Sequence, residues 1–165
     1  MQTKEALKTR RSIRNFKAKP IPRNLIEELI DCGRYAPTAR NIQPWEFVVI
    51  TKKEVLQKLG ALAENGRFLE ESSCCIAVLC KETKYYLEDG CAATENILLA
   101  AADLGLGSCW VAGDKKPYCD EVKALLGVPA DFKLVSLIAL GFAQPERAAE
   151  PAKRALEEVL HWEKF

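Results

Sequence analysis

The sequence has one histidine, His161, and it lies in the tail. A single imidazole so placed excludes a Ser/His/Asp triad and a histidine-rich metal centre within one chain. Net charge is also missing: 24 Lys and Arg oppose 23 Asp and Glu, for a formal +1. That balance removes any general attraction to nucleic acid or to an anionic membrane, so neither is expected as a partner. No apolar run approaches the ~20 residues of a membrane span, and the opening "MQTKEALKTRRS" has no apolar core of a signal peptide. A cytoplasmic location is expected. There is no CxxC, no GxGxxG after a strand and no GxxxxGK[ST], so a zinc ribbon, a Rossmann dinucleotide site and a nucleotide P-loop are all unsupported.

Cysteine, in contrast, is plentiful. Seven thiols (Cys32, Cys74, Cys75, Cys80, Cys91, Cys109 and Cys119) are odd in number, and most sit in apolar runs such as "SSCCIAVLC". Adjacent Cys74 and Cys75 suit opposite faces of one strand. Reduced, structural thiols are expected, with Cys109 a packing residue and no redox catalyst. A length of 165 residues suits one domain over 1–165, and no repeat or linker divides it.

Helix and strand signals alternate irregularly. Thr3 can cap a short helix reaching Thr9, and "RRSIRNFKAKPIP" then reads as extended chain. From Pro22, suited to a first helical position, apolar residues recur at three- and four-residue spacing up to Ala36, before Pro37. Strands are expected at 45–51, 74–81 and 132–143, with another after "LGLGSCWVAG". The all-apolar 74–81 run reads as a central strand covered on both faces. Helices are expected at 52–62, 85–104 and 118–128. The stripe of the long helix reads as Leu87, Cys91, Thr94, Leu98 and Ala101, beside Ile97 and Leu104, with Glu88, Asp89 and Glu95 on its wet face. Pro145 and Pro151 hold the first half of the tail extended, and its apolar end, with Val159, Leu160, Trp162 and Phe165, must cover its own domain or a partner subunit.

Three stretches could carry chemistry. In "RRSIRNF", an extended backbone points Arg10, Ser12 and Arg14 one way and Arg11 and Ile13 the other. Two guanidinium forks around a hydroxyl suit one phosphate. "YAPTARNIQPWEF" concentrates Thr38, Arg40, Asn41 and Gln43 between Pro37 and Pro44, a loop rich in donors and acceptors. "GLGSCWVAG" has glycines at 105, 107 and 113 that let backbone approach a flat ligand.

Together with "DGCAATENILLAAADLGLGSCWVAG" and the terminal "PERAAEPAKRALEEVLHWEKF", these stretches resemble the nitroreductase family of FMN-dependent oxidoreductases, in order and over essentially the whole chain. The resemblance implies an α+β fold with a central, mostly antiparallel sheet flanked by helices, in an intertwined homodimer with an exchanged C-terminal segment and FMN at the interface. On the matching positions, Arg10, Ser12 and one or both of Lys153 and Arg154 would hold the FMN phosphate, with Arg11 adding a contact. Arg14 would lie at N1 and O2 of the ring, and Asn65 matches a further flavin-contacting asparagine. Pro37, Thr38, Ala39 and Asn41 would come from the other subunit, and backbone at Ala112 and Gly113 would lie near N5. The implied activity is hydride transfer from NADH or NADPH to a nitroaromatic, quinone or similar acceptor by a ping-pong mechanism. The chain is short for the family, which implies an open site. Two alternatives are an FMN-binding storage or sensor module without turnover, and a small nucleic-acid-binding domain. The latter is disfavoured by the charge balance and by the lack of aromatics interleaved with the arginines.

Overall fold

The computed structural model describes residues 2–144 and 152–165, so the expected effects of Pro145 and Pro151 lie outside the described residues. Among the described residues, five helices and four strands follow in the order α1 (Thr3–Thr9), α2 (Arg23–Arg34), β1 (Trp45–Ile50), α3 (Lys53–Leu62), β2 (Cys74–Lys81), α4 (Tyr86–Asp103), β3 (Gly107–Ala112), α5 (Cys119–Leu126) and β4 (Phe132–Gly141). Short 3₁₀ turns occur at Ala39–Asn41, Arg67–Glu71 and Leu156–Glu158. Thr3 is inside the first turn of α1 and Gln2 takes the cap position, while Pro22 sits one place before α2.

The sheet runs β1-β2-β4-β3, with every neighbouring pair antiparallel. β2 and β4, the most continuously apolar runs, occupy its centre, where strands are covered on both faces. The period of two then sorts the side chains. Cys74, Ile76, Val78 and Cys80 join the core beneath α2 and α4, and Cys75, Ala77 and Leu79 join the core beneath α3 and α5. All seven cysteines are free thiols. Burial pushes Cys74 and Cys80 up to about 12, so they remain protonated packing groups.

The buried face of α4 is rotated from the expected stripe. Thr94, Ile97, Leu98 and Ala101 are buried as read, but Leu87, Cys91 and Leu104 are only half-buried, and Asp89 and Ala93 are buried instead. The helix is wedged between α2 and the sheet, so its covered sector centres on the 89/93/97/101 row. Ser136 of β4 meets this face through a 2.8 Å hydrogen bond with Thr94. Opposite β2, the register shifts between Val78, paired with Ser136, and Leu79, paired with Leu134. Val135 is therefore an extra residue in β4, a β-bulge.

The arginine-bearing segment is extended, as expected, and is held to the end of the sheet. Ser12 forms a parallel bridge with Ser108 and Phe16 an antiparallel bridge with Ala143. The Ile13 amide donates to Ser108 O (2.9 Å), the Lys17 amide to Phe142 O (2.8 Å) and the Gln144 amide to Asn15 O (3.0 Å). Beneath it lie Gly107 and Gly141, which face each other across β3 and β4. A Cβ on Gly107 would stand 2.8 Å from Ile13 Cγ2, and one on Gly141 would stand 2.7 Å from Phe16 Cδ1. The two glycines form a bare patch on which Ile13 and Phe16 sit.

Among the described residues no helix is long and apolar enough to cross a membrane. Substituting Gly141→Val should push Phe16 off the sheet at a cost of about 1–3 kcal/mol. The expected sign in hydrogen exchange is selective loss of protection at the Ile13 and Lys17 amides, with the β2 amides still protected.

Candidate active site

Segment 10–16 presents its charges on two levels. Ser12 and Arg14 are exposed. Arg10 is half-buried against α4, its Nε 3.8 Å from Glu95 Oε1. Arg11 turns back, donating to the carbonyls of Lys8 (2.8 Å) and Arg10 (3.0 Å) at the C-terminal end of α1, where a cation complements the helix dipole. Arg11 thus serves α1, and the outward donors are those of Arg10, Ser12 and Arg14.

Beside this segment lies a cleft of about 240 Å³ that gathers Arg14, Asn65, Ala112 and Lys116. The Arg14 guanidinium stands 5.6 Å from the centroid of Phe68, which steadies it over one wall. Ala112 ends β3 with its carbonyl accepting from the Tyr118 hydroxyl. Next to it, the Gly113 amide donates to Val135 O at 3.0 Å, and the Asp114 amide reaches the same oxygen at 3.3 Å. A Cβ on Gly113 would lie 2.8 Å from Leu134 Cγ and from the Val135 carbonyl carbon. What Gly113 contributes is this close approach to β4, since its N–H is already engaged. Cys109 also borders the cleft. Burial raises its thiol pKa against the lowering influence of Arg14, Ser12 and Arg10, which favours the protonated thiol.

The Pro37–Asn41 part of the polar loop is a separate piece. Thr38 donates its hydroxyl to Asp89 Oδ2 (2.9 Å), and the Ala39 amide donates to Asp89 Oδ1 (3.1 Å). The Gln43 amide closes the turn on Thr38 Oγ1 (3.1 Å), and the Gln43 side-chain amide reaches Asn41 Oδ1 (3.2 Å). Arg40, Asn41 and Gln43 all have positive φ, at 56°, 56° and 51°. Holding three non-glycine residues in the left-handed region costs free energy, and Asp89 is the anchor that offsets it.

Asp89 lies on the buried face of α4, not on the expected wet face. It is 5 % exposed, whereas Glu88 is exposed as expected and Glu95 is partly so. The signal was present in the sequence, because Asp89, Ala93, Ile97 and Ala101 fall at four-residue intervals in one otherwise apolar row.

Lys153 and Arg154 are not brought to the cleft by their own chain. Residues 152–165 are all exposed, and Arg154 turns to Glu158, donating from Nη2 to its carbonyl at 2.7 Å. Three separate groups of candidate residues therefore exist in the chain: the arginine segment with its cleft, the loop on Asp89, and the tail.

The sequence profile of the Nitroreductase family matches residues 7–72 and 81–142. The chain belongs to the nitroreductase family. A relative from Archaeoglobus fulgidus, provisionally named an NADH dehydrogenase/NAD(P)H nitroreductase, is 36% identical over 84% of this chain and 84% of its own length. The solved FMN-dependent nitroreductase of Clostridium difficile R20291 superposes with a TM-score of 0.89 at 27% identity, covering 97% of this chain and 98% of that one. A Desulfovibrio desulfuricans structure in complex with FMN gives 0.87 at 25% identity, over 100% of this chain and 98% of that one. The α+β architecture of this nitroreductase, with its antiparallel sheet between helices, is that of these relatives.

Replacing Asp89 by Ala should leave the Thr38 hydroxyl and Ala39 amide without their acceptor, at a cost of about 1–3 kcal/mol. Hydrogen exchange should show the Ala39 amide losing protection while residues 97–101 of α4 keep theirs.

Proposed function

We propose that this nitroreductase is an FMN-dependent NAD(P)H oxidoreductase working as a homodimer, with FMN held where the three groups of residues meet across two chains. The cleft carries the reading. It offers a cation (Arg14), an amide (Asn65) and the exposed end of β3 at Ala112 in one concave space, beside outward Ser12 and Arg10, which fits a flat heteroaromatic ring with a phosphate-bearing chain.

In this reading Arg10 and Ser12, with one or both of Lys153 and Arg154, hold the phosphate, since guanidinium forks match phosphate oxygens. Arg14 brings positive charge to the N1 and O2 edge of the ring, where it favours the anionic reduced form, and Asn65 hydrogen-bonds the ring edge. Pro37, Thr38, Ala39 and Asn41 of the second subunit border the ring, with Asp89 fixing their backbone. Backbone at Ala112 and Gly113 borders N5. When bound, FMN supplies the redox chemistry, N5 accepting hydride from NADH or NADPH before a nitroaromatic, quinone or similar acceptor is reduced in a second half-reaction. The open cleft admits donor and acceptor to one face in turn, which gives a ping-pong order. A cytoplasmic location fits a supply of reduced nicotinamide.

Two observations support the exchanged dimer. The tail leaves Trp162 79 % and Phe165 fully exposed on its own chain, so their burial needs another surface. An apolar groove of about 580 Å³, bordered by Ile21, Ile26 and Val49, lies next to the edge strand β1 and is a fitting receptor.

The purified protein should show flavin absorption bands at about 370 and 450 nm that bleach anaerobically with NADH or NADPH and return with an acceptor. Parallel lines are expected in two-substrate kinetics. A colourless protein that takes up no added FMN sinks the reading, and reduced flavin that no acceptor reoxidises leaves a storage module. Arg10→Ala with Ser12→Ala should weaken FMN retention about tenfold or more. Trp162→Ala with Phe165→Ala should shift the elution volume towards that of a monomer.

A further inference from the structure

Phe68 lines the Arg14 cleft from the 3₁₀ turn Arg67–Glu71, which is anchored independently of the arginine segment. Leu69 of this turn is wholly buried; its amide donates to Gly66 O (2.8 Å) and its carbonyl accepts from the Ser72 hydroxyl (2.7 Å). A Cβ on Gly60 would stand 2.9 Å from Arg67 O and 3.1 Å from Glu70 N, so the turn rests directly on α3. Phe68 is half-buried, packing against the core beneath α3 and α5 while it borders the cleft.

Arg14 comes from the segment seated on β3 and β4, and it is exposed. Among the described residues it makes no ion pair: Glu64, which also lines the cleft, is beyond that range, and Lys116 adds a second positive charge. The Phe68 ring, 5.6 Å from the guanidinium carbon, is its close partner. That separation is within the ~6 Å over which a ring face attracts a cation. An arginine without such a partner samples many rotamers, so the ring is what confines this one to the cleft. Its charge is felt there. Burial raises the Cys109 thiol pKa while Arg14 lowers it, and Cys109 borders the same cleft.

We propose that Phe68 is a positioning residue for Arg14, its ring holding the guanidinium where the cation favours reduced over oxidised flavin. This rests on the proposed function, in which Arg14 meets the N1 and O2 edge of the ring. An uncharged side chain on the α3 turn then acts on the cofactor through a cation supplied by the arginine segment, and the two elements together set how readily the flavin is reduced.

The test uses the FMN-loaded protein and two readouts of the bound flavin, its midpoint potential and the pH at which N1 of the reduced form titrates. Phe68→Leu keeps an apolar side chain and removes the ring face. The affinity for reduced relative to oxidised FMN should fall about threefold, which lowers a two-electron potential by about 14 mV. The N1 titration should rise by about half a pH unit, because a displaced cation no longer favours the anion. Phe68→Met, a second variant without a ring, should do the same, and Phe68→Tyr, which keeps the face, should leave both readouts as they were. Arg14→Met should shift both at least as far, and adding Phe68→Leu to it should shift them no further.

Unchanged readouts in the two ringless variants overturn the proposal, and so does an equal shift in Phe68→Tyr, which would make the effect one of packing. A further shift when Phe68→Leu is added to Arg14→Met also overturns it, since Phe68 would then act on the flavin without the arginine. In each of these cases the oxidoreductase stands. Failure of the unmutated protein to take up FMN overturns the underlying function, and the proposal with it.

Discussion

The contact on which the site depends is the seating of Ile13 and Phe16 on the bare glycine pair of β3 and β4. It converts a short polar stretch, with no periodic apolar pattern of its own, into a positioned edge of the sheet. Two large side chains supply the burial, the bridges at Ser108 and Ala143 set the register, and the intervening residues must then face outward. Arg14 reaches its cleft for this reason. Arg11, on the opposite face, becomes a helix cap.

Much of this was legible. β2 matches its expected limits because a continuous apolar run fits only the middle of a sheet, and the split of Cys74 and Cys75 between two cores follows from the pleat. The outward placement of Ser12 and Arg14 was readable from extended geometry alone. The burial of Asp89 is not legible from its own helix alone, since a charge in a long helix is ordinarily solvated and the donors it accepts from lie some fifty residues away in sequence. The α4 stripe slipped for a related reason. A helix covered on two sides has a wide buried sector, and its centre depends on the neighbour α2, which periodicity within α4 does not encode.

The separation of the three groups of site residues has a physical logic. Each group is fixed by its own set of neighbours, the loop by hydrogen bonds to Asp89, Arg10 by Glu95 and Arg154 by Glu158, so none depends on the others for its conformation within one chain. Asp89 fixes the loop, the glycine pair fixes the arginines, and the tail leaves its apolar side chains uncovered until another surface meets them.

The bulge at Val135 carries a consequence for how such proteins diversify. By displacing one residue of β4, it frees a carbonyl that holds two successive amides of the loop after β3, so the exit of β3 is anchored to a central strand of the sheet. Residues 115–117 hang from that anchor and are exposed. Their side chains can be exchanged with small effect on the frame around Gly113. A lineage could retune charge and shape at this rim in single steps, each nearly neutral for folding, while the interior of the sheet stays as it is.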